Sequence, residues 1–220
     1  MLLERVLRVL VVLLGAVSVL GRFGAWGWWL DLFAHFRVQY AGHRVLEVIA
    51  RDDNFGLAIV ARESSATEVV AQERLMFDGV PALAVQLRHD GRALAVLSLH
   101  TLPPISAANS ARRDRQLIAA SQWATRQEAA GTAAVIIGDF NATPFSAAVG
   151  PLTNAGLRDS LAAGGLLAAG SWPDLAGPLR IAIDHCWHDA RLVTIDRAIG
   201  PALGSDHRPL VVTLGWATQQ

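Results

Sequence analysis

Four short segments of the chain carry side chains that could do chemistry, and each adjoins an apolar run. They are Ser98-Leu99-His100, Gly138-Asp139-Phe140-Asn141, Ile183-Asp184-His185 and Gly204-Ser205-Asp206-His207. Taken singly, each has an ordinary explanation, such as a histidine at a strand end, Asp and Asn in a turn, or a paired carboxylate on a strand. Their joint occurrence indicates a site, because loops at strand ends can converge on one place.

These segments together offer three carboxylates, one carboxamide and three imidazoles, which suits the hydrolysis of a phosphoester. Carboxylates hold a hard divalent cation through oxygen, and the cation neutralises phosphate and helps to form the nucleophile. Imidazoles transfer protons or stabilise a negatively charged transition state. The side chain of Asn141 can donate its NH2 group to a phosphate oxygen or orient a water molecule.

Composition sets limits on the class of protein. The chain has 220 residues, 52% of them hydrophobic, and a mean hydropathy of +0.34, which indicates a membrane segment or a sheet buried on both faces. Nineteen basic residues, all of them arginine, balance nineteen acidic ones, so no overall field favours nucleic acid. The single Cys186 excludes an internal disulfide framework.

The elements that must position the four segments follow from the pattern of apolar runs and turns. The sequence predicts strands over Arg44–Ala50, Phe55–Ala61, Pro81–Arg88, Ala93–Leu99, Ala133–Gly138, Ile181–Trp187, Arg191–Ala198 and Pro209–Leu214. It predicts a hairpin turn at His89-Asp90-Gly91, a helix over 109–129, a shorter helix after Pro144 and a loop over 163–178. Many strands with few helices indicate an α+β sandwich.

The N-terminal segment is of a different kind. Val9 to Gly21 contains no charge, and after Arg22 the apolar run continues to Leu30. The second part of the run contains Trp26, Trp28 and Trp29, which suit a membrane interface, and no small-residue cleavage site follows the first part. We therefore expect a transmembrane anchor in residues 1–41, rather than a cleaved signal peptide or a buried core helix, and a separate domain over 42–217. The slight charge bias places the N-terminus in the cytoplasm and the domain outside.

The ordered set His100, GDFNATP (138–144), IDH (183–185) and SDHRPL (205–210) resembles the endonuclease/exonuclease/phosphatase superfamily. The NFG-like segment after Asp53 adds to the resemblance, and Trp29-Leu30-Asp31-Leu32-Phe33 is similar to membrane-anchored bacterial members. The resemblance implies a four-layered α/β/β/α sandwich of the DNase I type. It also implies hydrolysis of a phosphoester by an activated water, with Mg2+ or Mn2+ as cofactor.

The resemblance assigns roles to residues of this chain. Asp206 corresponds to a metal ligand, and His207 to the general base or transition-state stabiliser at the scissile phosphate. Asp184 would hold the imidazole of His207 in its working tautomer. Asp139 would orient or deprotonate the attacking water.

Two further residues match phosphate-binding positions of that family: Asn141 would position the phosphate, and His100 would contact its oxygens. The resemblance leaves the substrate open among nucleic acid, phospholipid and small phosphodiesters. It implies membrane contact through residues 6–30, at the bacterial inner membrane with the domain on the outer side, and no obligate protein partner.

One part of the family pattern is not found in the sequence. Members of the superfamily begin their domain with a strand bearing an Asn and a second strand ending in a metal-binding Glu, and both precede the NFG-like segment by several tens of residues. Glu47 is the nearest acidic candidate here, but its spacing matches a later strand. We therefore expect a sandwich that is incomplete at its N-terminal side. A catalytically impaired, membrane-tethered remnant with a binding or structural role is the alternative function.

Other enzyme classes fit the sequence less well. Ser205, Asp206 and His207 are consecutive and cannot form the relay of a serine-hydrolase triad. The GNHE and late G-x-H motifs of calcineurin-like phosphoesterases are absent from the sequence. A zinc site formed by Asp184, His185, Cys186 and His188 remains an alternative, although the spacing matches no common zinc motif.

Overall fold

The computed structural model describes residues 43–53, 55–62, 66–163 and 170–218. The predicted anchor and the domain boundary at residue 41, like Asn54, lie outside the described residues. Contacts divide the chain into two units, Met1–Val45 with Val60–Glu63 and Leu46–Ile59 with Ser64–Gln220, and every side chain discussed below belongs to the second unit. Within the described ranges, no helix has the length and apolar character needed to cross a membrane.

The strands form three sheets. β1 (His43–Ile49) pairs with β2 (Leu57–Arg62), and β9 (Leu192–Ile199) pairs antiparallel with β10 (Leu210–Trp216). The main sheet has six strands, in the spatial order β3 (Thr67–Phe77), β4 (Val80–His89), β5 (Arg92–His100), β6 (Ala133–Asp139), β8 (Asp184–His188) and β7 (Arg158–Asp159). Only β5 and β6 are parallel neighbours in it.

Helix α1 (Ala107–Ala129) connects the two parallel strands and covers one face of the main sheet. Its first turn is capped by Ser106, whose side chain accepts a hydrogen bond from the Asn109 N–H at 3.1 Å. A 3₁₀ turn (Ala147–Val149) and the short helix α2 (Gly150–Asn154) follow β6. Apolar side chains from α1, α2 and the sheet form the larger core, including Leu97, Leu117, Trp123, Ile136 and Leu152.

The second face of the main sheet packs against β9 and β10. Val135 and Cys186 from the main sheet are buried there with Leu192, and Val212 and Leu214 pack against them. Within the described residues, helix α1, the main sheet and the sheet of β9 and β10 (the second sheet) therefore form three successive layers. A helical layer outside the second sheet, which the predicted four-layered sandwich requires, is not found among them.

All eight predicted strands, helix α1 and the hairpin turn are present, with shifts at their ends. The largest shift is at β8, which begins at Asp184 because Ile181 instead makes an isolated bridge with Trp172. A 3₁₀ helix, Asp174–Leu179, overlaps the end of the loop predicted over 163–178.

The sequence prediction missed β3 and the two-residue β7. The apolar alternation of β3 is hidden because it is an edge strand with a mostly exposed surface, and its pairing with β4 shifts between Val69 and Ala71. A bulge of this kind breaks the period of two on which the prediction of strands depends.

The turn that leads out of β6 depends on a glycine. Gly138 lies opposite Leu99 of β5, and its φ is +145°. A Cβ atom at this position would lie 1.9 Å from the Leu99 carbonyl oxygen. Only glycine permits this close approach, which brings the ends of β5 and β6 together.

Candidate active site

Three of the candidate side chains lie in a row across neighbouring strands. His100 ends β5 and is in register with Asp139, which ends β6. Asp139 is in turn opposite Asp184, the first residue of β8. Since alternate residues of a strand share a face, and Ile137 and Cys186 face the second sheet, Asp139 and Asp184 point to that same side. The row lies at the end of the main sheet where β5 and β6 finish, on the face that β9 and β10 cover.

His207 completes the cluster from the segment before β10. Its Nδ1 lies 2.8 Å from Asp184 Oδ2, and its Nε2 lies 3.8 Å from Asp139 Oδ2. His100 approaches the same carboxylate, with 3.4 Å between His100 Nε2 and Asp139 Oδ2. One face of His100 is covered by Phe55, at 4.8 Å between ring centroids. Asp139 is therefore flanked by two imidazoles, and His207 by two carboxylates.

The segment after Asp139 is held in a tight turn by Asn141. The Asn141 backbone N–H donates to Asp139 Oδ1 at 2.7 Å, and its φ is +45°. The Asn141 Nδ2 donates to the Thr101 carbonyl at 2.8 Å and lies 3.4 Å from Asp139 Oδ2. Arg113 of α1 donates to the Asn141 carbonyl at 3.1 Å. These bonds tie together the loops that follow β5 and β6 and fix the Asp139 carboxylate.

A third histidine, His185, packs against this turn from the other face of the main sheet. His185 is almost completely buried, with its Nε2 at 2.8 Å from the Ala142 carbonyl and its Nδ1 at 3.5 Å from Asp159 Oδ2. Its ring stacks on Phe140 at a centroid distance of 4.9 Å. The side chain therefore faces away from Asp139 and His207, and its contacts position the loop.

The electrostatics of the cluster shift two ionisation equilibria. Burial raises the pKa of Asp139, and the charge of Asp184 acts in the same direction; the Asn141 N–H and the charges of His100 and His207 act against them. The hydrogen bond with Asp184 raises the pKa of His207, and the surrounding carboxylates add to this effect against a partial burial that lowers it. Asp139 is thus a stronger base than an ordinary carboxylate, and His207 holds its proton to a higher pH.

Asp206 is placed apart from this row. It is exposed, and its Oδ2 accepts a hydrogen bond from Trp172 Nε1 at 3.1 Å, while Ser205 Oγ lies 3.4 Å from its Oδ1. The bend of the chain at 204–207 sends the side chains of Asp206 and His207 to different partners. Of the six predicted site residues, the structure brings His100, Asp139, Asn141, Asp184 and His207 together and leaves Asp206 at the margin.

Comparison with known sequences gives the same result as the order of the site residues along the chain. The sequence profile of the Endonuclease/Exonuclease/phosphatase family matches residues 8–207. The chain belongs to this family. The match starts within the predicted anchor, and both the anchor and the lost first strands stay predictions. No curated protein matches the sequence.

Solved structures of the family have the same fold. An endonuclease/exonuclease/phosphatase from Bacteroides vulgatus superposes with a TM-score of 0.68 at 18% identity, over 85% of this chain and 81% of that one. Mannosyl-6-phosphatase Bt3783 of Bacteroides thetaiotaomicron gives 0.64 at 16% identity, over 84% and 81%. TDP2 of D. rerio, complexed with a single-strand DNA product, gives 0.66 at 18% identity, over 83% and 80%. The fold is therefore α+β and DNase I-like.

The described residues do not by themselves fit a divalent-metal site. Within the described ranges no group of three or more His, Cys, Asp or Glu side chains is arranged to hold a metal ion. Asp206 offers one exposed carboxylate, and Glu47, the other acidic candidate, accepts two hydrogen bonds from Arg74, the shorter at 2.6 Å. Mg2+ prefers six oxygen ligands and is commonly held by one or two carboxylates with water, so Asp206 alone is a weak site.

The alternative zinc site is not formed either. His185 and His188 use their ring nitrogens elsewhere, and His188 contacts the Asp189 carbonyl and Thr194 Oγ1, each at 2.9 Å. Cys186 is buried between the sheets, and burial raises its thiol pKa to about 12. A thiol in that environment packs as a small apolar side chain.

Three residues near the site escaped the sequence analysis. Trp172 donates a hydrogen bond to Asp206, and the centroids of the Trp172 and His207 rings are 6.3 Å apart. Thr101 accepts from Asn141, and the nearly buried Arg113 reaches the same loop from α1. Trp172 gave a weak signal, as an aromatic residue in a segment rich in Gly and Ala. The other two gave none, because their contacts join parts of the chain far apart in sequence.

Proposed function

We propose that this chain is a hydrolase that cleaves a phosphoester by in-line attack of a water molecule. The observation that carries the proposal is the position of His207, whose Nδ1 is held by Asp184 while its Nε2 faces Asp139. An imidazole oriented in this way presents a single nitrogen to a substrate. A phosphate placed between His207 and His100 would contact both rings and lie beside the Asp139 carboxylate.

In this proposal each residue has a distinct task. The oxygen of the attacking water forms a bond to phosphorus while its proton passes to Asp139, which burial has made more basic. The P–O ester bond breaks with its electron pair on the leaving oxygen, which takes a proton from solvent. His207 in its protonated form and His100 stabilise the charge on the phosphoryl oxygens. Asn141 orients the phosphate with its second NH2 hydrogen, which in the unliganded chain makes only a long hydrogen bond of 3.4 Å to Asp139 Oδ2.

Metal dependence is part of the proposal and rests on family membership. Mg2+ or Mn2+ would supply charge neutralisation at the phosphate, with Asp206 as the ligand from the described residues. Further ligands would have to come from outside the described ranges. Titration of the full chain with Mn2+, followed by the electron paramagnetic resonance of free Mn2+, measures the affinity directly, and Asp206→Asn should weaken it.

The experiment that tests the proposed activity is hydrolysis of bis-p-nitrophenyl phosphate by the full chain, with and without Mg2+ or Mn2+. The variant is His207→Ala, and the matched control is His89→Ala. His89 is a partly exposed histidine at the opposite end of the main sheet, hydrogen-bonded to Thr67. We expect metal-dependent turnover that is lost in His207→Ala and kept in His89→Ala. Equal turnover in both variants would rule out the role of His207.

A second candidate is a catalytically impaired relative that binds phosphorylated ligands or has a structural role. It is favoured by one observation, the single exposed carboxylate that the described residues offer to a metal. This candidate predicts micromolar or weaker Mn2+ binding and no turnover by a chain that is demonstrably folded. The first candidate predicts saturable metal activation.

We also propose that the chain is anchored in a membrane. Residues 6–30 would hold the chain in the bacterial inner membrane with the domain on the outer side. Resistance to alkaline carbonate extraction and cleavage of the domain by protease added to intact spheroplasts would support this arrangement. Release into the carbonate supernatant would contradict the anchor. The relatives named above act on different compounds, so we propose only a phosphoester as the substrate class at this point.

A further inference from the structure

The most exposed apolar side chains of the described residues lie on the loops around the candidate site. Five large hydrophobic side chains are between 70% and 100% exposed; these are Ile105, Phe145, Leu175, Leu179 and Leu203. The next most exposed, Ile195 on β9, is at 65%. We call these five residues the apolar rim. Single exposed apolar side chains are common on protein surfaces, whereas several of them gathered at one place indicate a surface that a partner covers.

The topology places every member of the rim at the site end of the sheets. Ile105 follows β5 and Phe145 follows β6, and these two strands are parallel and end at His100 and Asp139. Leu175 and Leu179 precede β8, which runs antiparallel to β6 and starts at Asp184. Leu203 lies in the segment between β9 and β10 that also carries His207.

Hydrogen bonds join these four loops in two pairs, one on each side of the row formed by His100, Asp139 and Asp184. On one side, Asn141 Nδ2 donates to the Thr101 carbonyl. On the other, the Asp174 N–H donates to the Asp206 carbonyl at 2.7 Å, and the Arg208 N–H donates to the Ser171 carbonyl at 2.8 Å. Apolar side chains therefore flank a polar centre. A protein–protein interface has the opposite arrangement, with an apolar centre and a polar margin.

The charges of these loops also indicate the kind of partner. The segments 101–106 and 140–146 contain no ionisable side chain. In the other pair, Arg208 is bound to Asp174 at 2.5 Å, and Arg180 donates to the Gly170 carbonyl at 3.1 Å. Arg180 is the one arginine of these described loops without a carboxylate partner, and the whole chain has no net charge, so the described loops contain no cluster of positive charge that would attract a polyanion. The rim is therefore suited to a surface that has zwitterionic groups on the outside and an apolar interior.

From this arrangement we infer that the apolar rim inserts into a zwitterionic lipid surface and presents the phosphodiester of a lipid headgroup to the site. The uncharged run Val9–Gly21 would bring the chain to the same surface. The substrate part of this inference rests on the phosphoesterase proposed above, whereas the insertion of the rim does not.

Insertion is tested on the full chain with a fluorescent label. Cys186 is 1% exposed, and burial raises the pKa of its thiol to about 12, so this residue should not react with a maleimide. An environment-sensitive maleimide should therefore label only a cysteine introduced at the surface. The rim variants are Leu175→Cys and Phe145→Cys, and the control is Val70→Cys, which is 57% exposed on β3 at the far end of the sheet. All three keep the same N-terminal segment, so any difference between them reports on the loops.

With phosphatidylcholine vesicles, we expect a blue shift at both rim positions and quenching by lipids brominated in their acyl chains. The label at Val70→Cys should show neither effect. Equal quenching at rim and control positions, or none at the rim, would overturn the inference. A blue shift without vesicles that grows with protein concentration would also overturn it, because the rim would then cover another copy of the chain.

A second measurement separates this inference from the proposed function. The ratio of phosphatidylcholine-vesicle turnover to bis-p-nitrophenyl phosphate turnover should fall about tenfold in Leu175→Ser with Leu179→Ser, since each apolar side chain removed from lipid lowers partitioning severalfold. Ile195→Ser should leave the ratio unchanged. If neither substrate is hydrolysed by the unaltered chain, the proposed function fails while the label still decides insertion. An unchanged ratio in the double variant would overturn the inference.

Discussion

Asp139 and Asp184 lie directly opposite each other on β6 and β8, and the imidazole of His207 contacts both carboxylates. Two like charges placed across a strand pair repel each other, so this pair is unfavourable by itself. Burial is the main cause of the raised pKa of Asp139, with a smaller contribution from the charge of Asp184, whereas the raised pKa of His207 comes mainly from its hydrogen bond with Asp184.

Asp184→Asn should lower the pKa of His207, because the hydrogen bond with the Asp184 carboxylate is the main cause of its rise. NMR titration of the imidazole measures this directly, and turnover should fall by about 100-fold or more. A His207 pKa that does not change would show that Asp184 does not control this ring.

The same pair makes stability depend on pH. The pKa of His207 in the folded chain lies above its ordinary 6.5, so the pair stabilises the fold below 6.5, and this contribution is lost as the pH rises through the folded value. The difference in free energy of unfolding between the unaltered chain and Asp184→Asn should therefore shrink as the pH is raised. Urea denaturation over this range tests the sign, and a difference that grows with pH would contradict it.

Asp139→Asn should abolish turnover without destabilising the fold. Burial raises the pKa of Asp139 above 3.8 in spite of its favourable contacts, so ionisation of this carboxyl is less favourable in the folded chain than in the unfolded chain. At neutral pH the neutral amide should leave the free energy of unfolding unchanged or raise it by about 1 kcal/mol, and the gain should vanish at acid pH. Chemical denaturation at two pH values checks this, and turnover should drop by about 10²–10⁴-fold. A clear loss of stability at neutral pH would mean that Asp139 is structural.

His185→Ala should reduce both stability and turnover. The ring holds the Ala142 carbonyl and stacks on Phe140 under the turn that carries Asp139. Its loss should cost about 2–3 kcal/mol and lower kcat about tenfold, with less effect on KM. The control is His188→Ala, a buried histidine at the other end of β8 with two hydrogen bonds of its own. It should lose similar stability and keep its kcat at a temperature where both variants are folded. Equal kcat values would show that His185 does not position the turn.

Gly138→Ala should be severely destabilising. The added Cβ would meet the Leu99 carbonyl at 1.9 Å, and we expect a loss of about 3 kcal/mol or more. The control is Gly131→Ala, where φ is +76° and no atom lies within 4 Å of the added Cβ; only the backbone conformation is penalised there, by about 1–2 kcal/mol. Urea denaturation compares the two, and equal losses would exclude the close approach as the cause.

The amino-acid sequence was enough to predict most of the strands, the long helix and the chemical groups of the candidate site. Strand alternation, the uninterrupted helical pattern before Gly131 and the Asp90-Gly91 turn are local signals, so α1, the hairpin and eight strands could be predicted from them. The ordered motifs around His100, Asp139, Asp184 and His207 identified the family and the candidate residues, because a motif keeps its residues in a fixed local order.

The tertiary structure alone decided how those groups meet. Sequence order does not specify that β8 pairs with β6, so the register that places Asp184 opposite Asp139 depends on long-range packing. The same holds for Trp172 beside Asp206, Arg113 beneath the Asn141 turn and the apolar rim gathered from four loops. The bulge that hid β3 is also a product of pairing with β4. Contacts between distant segments form only when the whole sheet assembles, and no local pattern in the chain encodes them.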